Sequence, residues 1–526
     1  MTEKNLIGYS ASSEGSSFTQ GYNPAKKEFL PGKFPNATSE EVNLTVEKAS
    51  SGFDIYRNIS GKRKGEFLNA IADEIELLGD ELIVRCCAES GLPEGRILGE
   101  RGRTIGQLRM FANLVTEGSW LEATIDTSQL DRVPVPKPDI RRMLVPMGPV
   151  VVFAASNFPL AFSTAGGDTA SALAGGNTVI VKAHGAHPGT SALVGTAILK
   201  AGQKTGMPDG VFSLLHGSGK VVGQSLINHP DVKAGGFTGS QTAGRILLNL
   251  ANQRKEPIPF FAEMGSVNPV LLLPSSLNKD TAELLAGSIT MGVGQFCTNP
   301  GLLLSIKGDQ LDKFIIDLGD ALRQVDSDVM LSERICNTYY SDVDSLLSNV
   351  DVTVETQVER EKESNQGATI LVSVLGETFI NNPKLAQEVF GPCSMVVKCE
   401  DKNQVNEILS TLDGQLTGSI IGLENEFSNF SSSIDLLEKK VGRVIFNGVP
   451  TGVEVCPSMH HGGPYPAASD VRFTSVGTAA IKRFVRPVAY QTWPSERLPD
   501  ELKDENPLNI LRCINNSYTK KKIEKI

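Results

Sequence analysis

Between Val150 and Ala262 the chain alternates short apolar runs with helical segments at a regular spacing, and few folds accommodate that. The runs are Val150–Ala154, Thr178–Val181, Val211–Leu215, Val232–Phe237 and Pro259–Ala262. Segments of helical pattern, such as Ser191–Lys200 and Gly244–Asn252, lie between them. Parallel strands need a long crossover, usually a helix, so the alternation predicts βαβ units and a parallel sheet. Ligands on such sheets bind beyond the carboxyl ends of the strands. Those ends carry the unusual residues: Ser156-Asn157-Phe158-Pro159, Lys182-Ala183-His184, His216-Gly-Ser-Gly-Lys220, Thr238-Gly239-Ser240 and Glu263-Met264-Gly265.

A second α/β region starts near Asn268. Its apolar runs are Val270–Leu273, Thr369–Val374, Ser394–Lys398, Ser419–Ile421 and Val444–Asn447. Ahead of the first region, residues 1–40 are rich in Ser, Gly, Asn and Pro and read as an extended arm over the surface. From Ser39 to Val115 the pattern is helical, with Phe67, Ala70, Ile71, Ile75 and Leu78 on one face and Ile105, Leu108, Phe111 and Ala112 on another. The stretch Ile125–Met147 is Pro-rich and partly alternating, which suits an edge strand or arm and a subunit contact. After Ile481 a second strand-like arm, Phe484–Trp493, precedes a polar helix and a basic, solvated tail at Lys520–Lys522. No internal repeat is visible. The expected division is a cofactor-binding domain over 1–124 and 147–262, a catalytic domain over 263–480, and an oligomerisation arm and tail over 125–146 and 481–526.

The 526 residues allow two or three domains. The net charge of -10 argues against a nucleic-acid-binding surface. No apolar run is long enough to span a bilayer, so no membrane partner is expected. The eight cysteines include no CxxC pair and no secretory leader precedes them, which predicts reduced thiols and a cytoplasmic protein.

Four features admit a chemical reading beside a plainer one. Cys297 lies among Gly292, Gly294, Pro300 and Gly301, where a thiol could be a nucleophile if a base stood near; a free cysteine is more often a small buried hydrophobe. Gly239-Ser-Gln-Thr-Ala-Gly244 follows a strand and opens a helix whose N–H groups favour phosphate, though Gly-Ser turns are common. Asn157 could donate to an oxyanion or merely close its turn. Glu263, ending an apolar strand, is either paired structurally or raised in pKa for general-base work. His460 and His461 are adjacent, so in an extended segment they point apart, and His184 and His187 lie in a loop. No Cys, His and carboxylate group has a zinc-like spacing, so no metal is expected.

Together these stretches resemble the aldehyde dehydrogenase superfamily. The resemblance is carried by Phe261-Ala-Glu-Met-Gly-Ser-Val-Asn-Pro269, Gly294-Gln-Phe-Cys-Thr-Asn-Pro-Gly301, Glu388-Val-Phe-Gly-Pro392, Ser156-Asn-Phe-Pro159 and Gly236-Phe-Thr-Gly-Ser240. It runs from about residue 40 to residue 495. Within that superfamily the chain is most similar to α-ketoglutaric semialdehyde (2,5-dioxopentanoate) dehydrogenases. The residues concerned are Val181–Thr190, Arg103–Phe111, Phe446–Glu454 and His460–Tyr465. NADP-dependent long-chain fatty aldehyde dehydrogenases share much of this and form the alternative.

The resemblance implies an α/β fold with a Rossmann-type parallel-sheet cofactor domain, an α/β catalytic domain and a small β oligomerisation arm. It implies oxidation of an aldehyde to a carboxylic acid through a thiohemiacetal and thioester on Cys297, with Glu263 as base and Asn157 at the oxyanion. Lys182, Lys220, Gly239, Ser240, Gly244, Glu388 and Phe390 are implied at the cofactor, and Arg103, Gln107, Phe158 and Phe162 at the substrate. The usual acid after the second strand is absent here, where Lys182 is followed by Ala183, His184 and Gly185; this favours NADP over NAD, with Lys220 as counter-charge. A homodimer or homotetramer is expected. Two other classes are weighed: a non-catalytic nucleotide-binding homologue, which would not need Asn157, Glu263, Cys297 and Glu388 together, and a thiol acyltransferase or hydrolase, which would not need the phosphate turn at Gly239–Gly244.

Overall fold

The computed structural model describes residues 3–360 and 364–524. The βαβ series folds as expected. Strands Val150–Phe153, Val179–Lys182, Phe212–Leu215, Ala234–Thr238 and Phe260–Glu263 run parallel in one sheet. All five are short, and all but the last residue of one, Thr238, are buried, as strands covered by helices on both faces must be. The 150–153 strand lies between the 179–182 and 234–238 strands, so the strand order reverses at its carboxyl end. That crevice is where a doubly wound sheet takes its ligand.

The N-terminal arm is more integrated than its composition suggests. Asn5–Ile7 joins the same sheet antiparallel to Phe212–Leu215, burying Leu6 and Ile7, while Phe18–Asn23 and Glu28–Pro35 form a separate hairpin. Polar composition misled here because a few apolar side chains, Leu6, Ile7 and Phe34, are enough to anchor the arm. Four helices follow: Ser39–Tyr56, Gly61–Leu77, Gly79–Ser90 and Glu94–Glu117. The first begins with a capping box at Thr38 and Glu41. Phe67, Ile71, Ile75, Leu108, Phe111 and Ala112 all enter one core with the sheet.

The second sheet holds Thr353–Gln357, Ile370–Leu375, Cys393–Cys399, Leu302–Ile306, Val270–Leu272, Gln415–Ile421 and Val441–Phe446, in that order. Its members are parallel except the first. A third sheet joins Val485–Gln491, Ile140–Pro146, Thr124–Asp126, Arg512–Ile514 and Ser517–Thr519. The strand at 140–146 is paired on both sides, not an edge as its prolines suggested, because Pro134, Pro136 and Pro138 lie in the loop before it. The polar helix expected near the C-terminus is instead two single helical turns and a hairpin. Asn515 and Asn516 both adopt positive φ (47° and 64°), the left-handed pair a two-residue hairpin turn demands. The tail is not simply solvated: Ile523 packs on the third sheet's core and the Lys521 carbonyl accepts from Arg512, although the side chains of Lys520–Lys522 are exposed. The last two residues of the tail lie outside the described part. No helix among the described residues is long and apolar enough to cross a membrane.

Candidate active site

The helix Lys279–Thr290 delivers the chain into a turn at Met291–Gly294, in which Gly292, Val293 and Gly294 all have positive φ (56°, 57° and 64°). Glycine adopts this conformation freely, but a β-branched valine is strained there, so the surroundings must enforce it. A side chain at position 294 would collide with the Gly391 carbonyl. On the far side of Cys297, Asn268 donates its Nδ2 to the carbonyls of Cys297 and Asn299, both at 2.9 Å. Gln415 Oε1 in turn accepts from the N–H groups of Val267 and Asn268. The Cys297 backbone is therefore held from two sides while its side chain stays partly exposed.

His461 Nε2 lies 3.5 Å from Cys297 Sγ and 2.9 Å from Glu263 Oε1. The latter pair is close without being aligned for a hydrogen bond, and Glu263 Oε1 has no other partner. Ser475 Oγ donates to Glu263 Oε2. Burial, and then the facing Glu263 carboxylate, push the Cys297 thiol well above its usual range. Burial alone would raise Glu263 too, but His461, Ser475 and Arg483 outweigh it and hold the carboxyl below its usual range. Of the two readings of Glu263, the paired one describes the resting state: an ionised carboxylate facing a protonated thiol. Asn157 donates Nδ2 to the Gln295 carbonyl at 3.1 Å, which sets its amide beside the same loop.

An aromatic wall closes one side. Phe158 meets Phe162 and Phe296 edge-on, with ring centroids 5.2 and 5.4 Å apart, and Phe162 lies 6.3 Å from His461. Two arginines of the helix Glu94–Glu117 press on this wall. Arg96 lies 4.5 Å from the Phe158 centroid, and Arg103 lies 5.5 Å from that of Phe162. Between them Glu100, fully buried, accepts the N–H groups of Leu160 and Ala161 and so pins the loop after Asn157. Arg103 is half-buried, and its Nε and Nη2 have no partner. After burial, its strongest electrostatic neighbour is Glu100, with Cys297 and Glu263 acting more weakly. Gln107 is also buried with a free Nε2, and it packs against Gly167.

On the other side, the carboxyl ends of the first sheet form a polar crevice. Gly239 and Ser240 are exposed at the start of helix Gln241–Gln253, Ser240 caps it, and Gly244 is buried in its first turn. Lys182 is buried, and burial pushes its ammonium down to about 8 with no carboxylate offsetting it. Lys220 is exposed on a single helical turn, Gly219–Gly223. Glu388 packs directly over Gly265 and is pushed up to about 7 by burial. Phe390 lines the cavity next to it, with Ser266, Gly294 and Phe296. A buried cation without a counter-ion, beside an open helix N-terminus, fits the phosphates and ribose hydroxyls of a dinucleotide.

Residues 10–468 match the aldehyde dehydrogenase family. The chain belongs to that family. As an aldehyde dehydrogenase it is 47% identical to "Alpha-ketoglutaric semialdehyde dehydrogenase 2" of Azospirillum brasilense over 516 residues, covering 97% of this chain and 98% of that one. It is 44% identical to "Alpha-ketoglutaric semialdehyde dehydrogenase" of Acinetobacter baylyi, covering 92% and 93%. Among solved structures, betaine aldehyde dehydrogenase from Staphylococcus aureus in complex with NAD+ superposes with a TM-score of 0.80 at 18% identity, covering 94% of this chain and 96% of that one. Methylmalonate-semialdehyde dehydrogenase from Oceanimonas doudoroffii gives 0.79 at 20%, covering 94% and 99%. The fold is therefore that of an aldehyde dehydrogenase, and the chain is an oxidoreductase acting on aldehydes.

Of the residues singled out from sequence, Asn157, Glu263, Cys297, Phe158, Phe162 and Arg103 are linked in one cluster of contacts through His461, Gln295 and Phe296. Gln107 stands behind it. His461, Glu100 and Arg96 were missed. Their partners are 164, 60 and 62 residues away in the chain (Cys297, Leu160 and Phe158), and no local pattern encodes such distances.

Proposed function

We propose that this aldehyde dehydrogenase oxidises 2,5-dioxopentanoate to 2-oxoglutarate with NADP, NAD serving less well. The observation that carries the substrate is Arg103. A long-chain aldehyde gives the half-buried Arg103 guanidinium nothing to bind. A short ω-oxo acid brings its own carboxylate to the two free N–H groups while its aldehyde reaches Cys297. The two named relatives point the same way.

In this reading the Cys297 thiol passes its proton to the Glu263–His461 pair and Sγ attacks the aldehyde carbon. The Asn157 amide and the Cys297 N–H receive the developing oxyanion. A bound nicotinamide supplies the hydride acceptor. Cys297 is left as a thioester, and Glu263 takes a proton from the water that releases the acid. Residues 1–124 and 147–262 serve the cofactor, residues 263–480 the chemistry, and 125–146 with 481–526 the contact within a cytoplasmic homodimer or homotetramer. Lys182, Gly239, Ser240, Gly244, Glu388 and Phe390 would hold the dinucleotide, and Gln107 would steady the Arg103 face.

Arg103→Ala tests the substrate. Losing a charge-assisted pair costs about 1.5–3 kcal/mol, roughly ten- to a hundredfold in kcat/KM. The variant should lose that much on 2,5-dioxopentanoate and keep its rate on hexanal. An equal loss on both makes Arg103 structural.

Cofactor choice is tested by Lys220→Ala, expected to weaken NADP and spare NAD because Gly185 leaves room for a 2′-phosphate that Lys220 would meet. Equal weakening of both removes Lys220 from that role. The pH dependence follows from Lys182. Its ammonium is present below about 8 and lost above, so kcat/KM for the cofactor should fall as pH rises through 8. A flat profile between pH 7 and 9 would show that Lys182 does not meet the cofactor.

A further inference from the structure

We propose that Glu263, Cys297 and His461 together form a binding site for a thiolate-seeking divalent cation, Zn²⁺ or Cd²⁺, that silences the enzyme reversibly while bound. One donor atom from each residue lies within 4.8 Å of the other two. Sγ to Nε2 is 3.5 Å and Nε2 to Oε1 is 2.9 Å. In a tetrahedral zinc site, with bonds of about 2.0–2.3 Å, neighbouring donors stand about 3.3–3.6 Å apart. The sulfur–nitrogen edge already has that length, and the nitrogen–oxygen edge needs to open by about half an ångström.

The donor atoms are also free to bind. Glu263 is buried, and its Oε1 faces only His461 Nε2, at 2.9 Å without an aligned hydrogen bond. Cys297 is partly exposed, so an ion can enter and a water can fill the fourth position. Mixed sulfur, imidazole and carboxylate donors suit zinc and cadmium; magnesium and calcium prefer all-oxygen sets with more ligands. On binding, the Sγ–H bond breaks and its proton leaves to solvent. Sγ, Nε2 and Oε1 then take three of the four positions, the hydrated ion keeps one water and releases the rest, and no oxidation state changes.

His461 also sets the strength. A ligating histidine ordinarily donates its second ring N–H to an acceptor, which raises its basicity. Here Nδ1 is buried without any partner. The site thus lacks the support of a resident structural zinc, and the ion should leave to a chelator. The silencing, though not the binding, rests on Cys297 being the nucleophile.

The experiment is a titration of the purified enzyme, free of aldehyde and cofactor, with Co²⁺ and Cd²⁺, followed by thiolate-to-metal absorbance. One equivalent per chain should give the band, Zn²⁺ should displace it, and Mg²⁺ should not. Cys297→Ser should remove it, and His461→Asn should weaken the affinity at least about tenfold. In parallel, Zn²⁺ should inhibit dehydrogenase activity and EDTA should restore it. No band in the wild type, or an equal band in Cys297→Ser as the remaining cysteines would give, overturns the proposal. Serine changes only the sulfur, so that comparison stands even if the His461 variant fails to fold. A band without inhibition would leave the site in place and remove Cys297 from the chemistry.

Discussion

Replacing Cys297 with serine is expected to abolish aldehyde oxidation, by at least about a thousandfold in kcat, while cofactor binding stays nearly intact. The site is built to make a difficult thiol reactive. Burial and Glu263 oppose its ionisation, and His461, paired with Glu263, stands 3.5 Å from Sγ to take the proton during attack. A serine hydroxyl, with a far higher pKa than a thiol, gains too little from the same pair. The backbone is fixed by Asn268 and Gln415 through main-chain groups alone, so the substitution leaves the loop in place. Steady-state rates and NADP titration by fluorescence quenching check both halves. Turnover above a few per cent of wild type would remove Cys297 from the reaction.

Glu263→Gln should lower steady-state turnover by about a hundred- to ten-thousandfold, the usual worth of a positioned base. The first turnover should survive, because His461 Nε2 still lies 3.5 Å from Sγ and can accept the thiol proton. Rapid mixing with cofactor and aldehyde should therefore show a burst of about one equivalent of reduced cofactor per site, then slow release. Loss of the burst would mean that Glu263 itself takes the thiol proton and that His461 only orients it. The double variant with His461→Asn should lose the burst in either case.

Much of the architecture was legible because it is encoded locally. Five buried strands at βαβ spacing announce a parallel sheet, and the residues at their carboxyl ends mark the ligand crevice before any coordinates are known. Cys297, Glu263 and Asn157 stood out as residues that break their local pattern, but only the family resemblance implied a role for each. What stayed hidden depends on tertiary distance. His461 reads from sequence as half of an adjacent pair facing opposite ways, and nothing near it says that one ring packs against Cys297. Glu100 looks like one more acid on a helix, yet it ties that helix to the loop after Asn157. The carboxylate of Glu263 was open to a raised pKa from burial alone; only the positions of His461, Ser475 and Arg483 reverse the sign. At the C-terminus, the polar stretch after Trp493 has no helical stripe, and Asn515-Asn516 was the hairpin signal to weigh.

The most direct test is a comparison of initial rates for 2,5-dioxopentanoate, hexanal and decanal with NADP and with NAD, read at 340 nm, with the acid product identified. The expected result is the highest kcat/KM for 2,5-dioxopentanoate with NADP, and one 2-oxoglutarate formed per reduced cofactor. A higher kcat/KM for decanal, or no reduced cofactor with the semialdehyde, would contradict it.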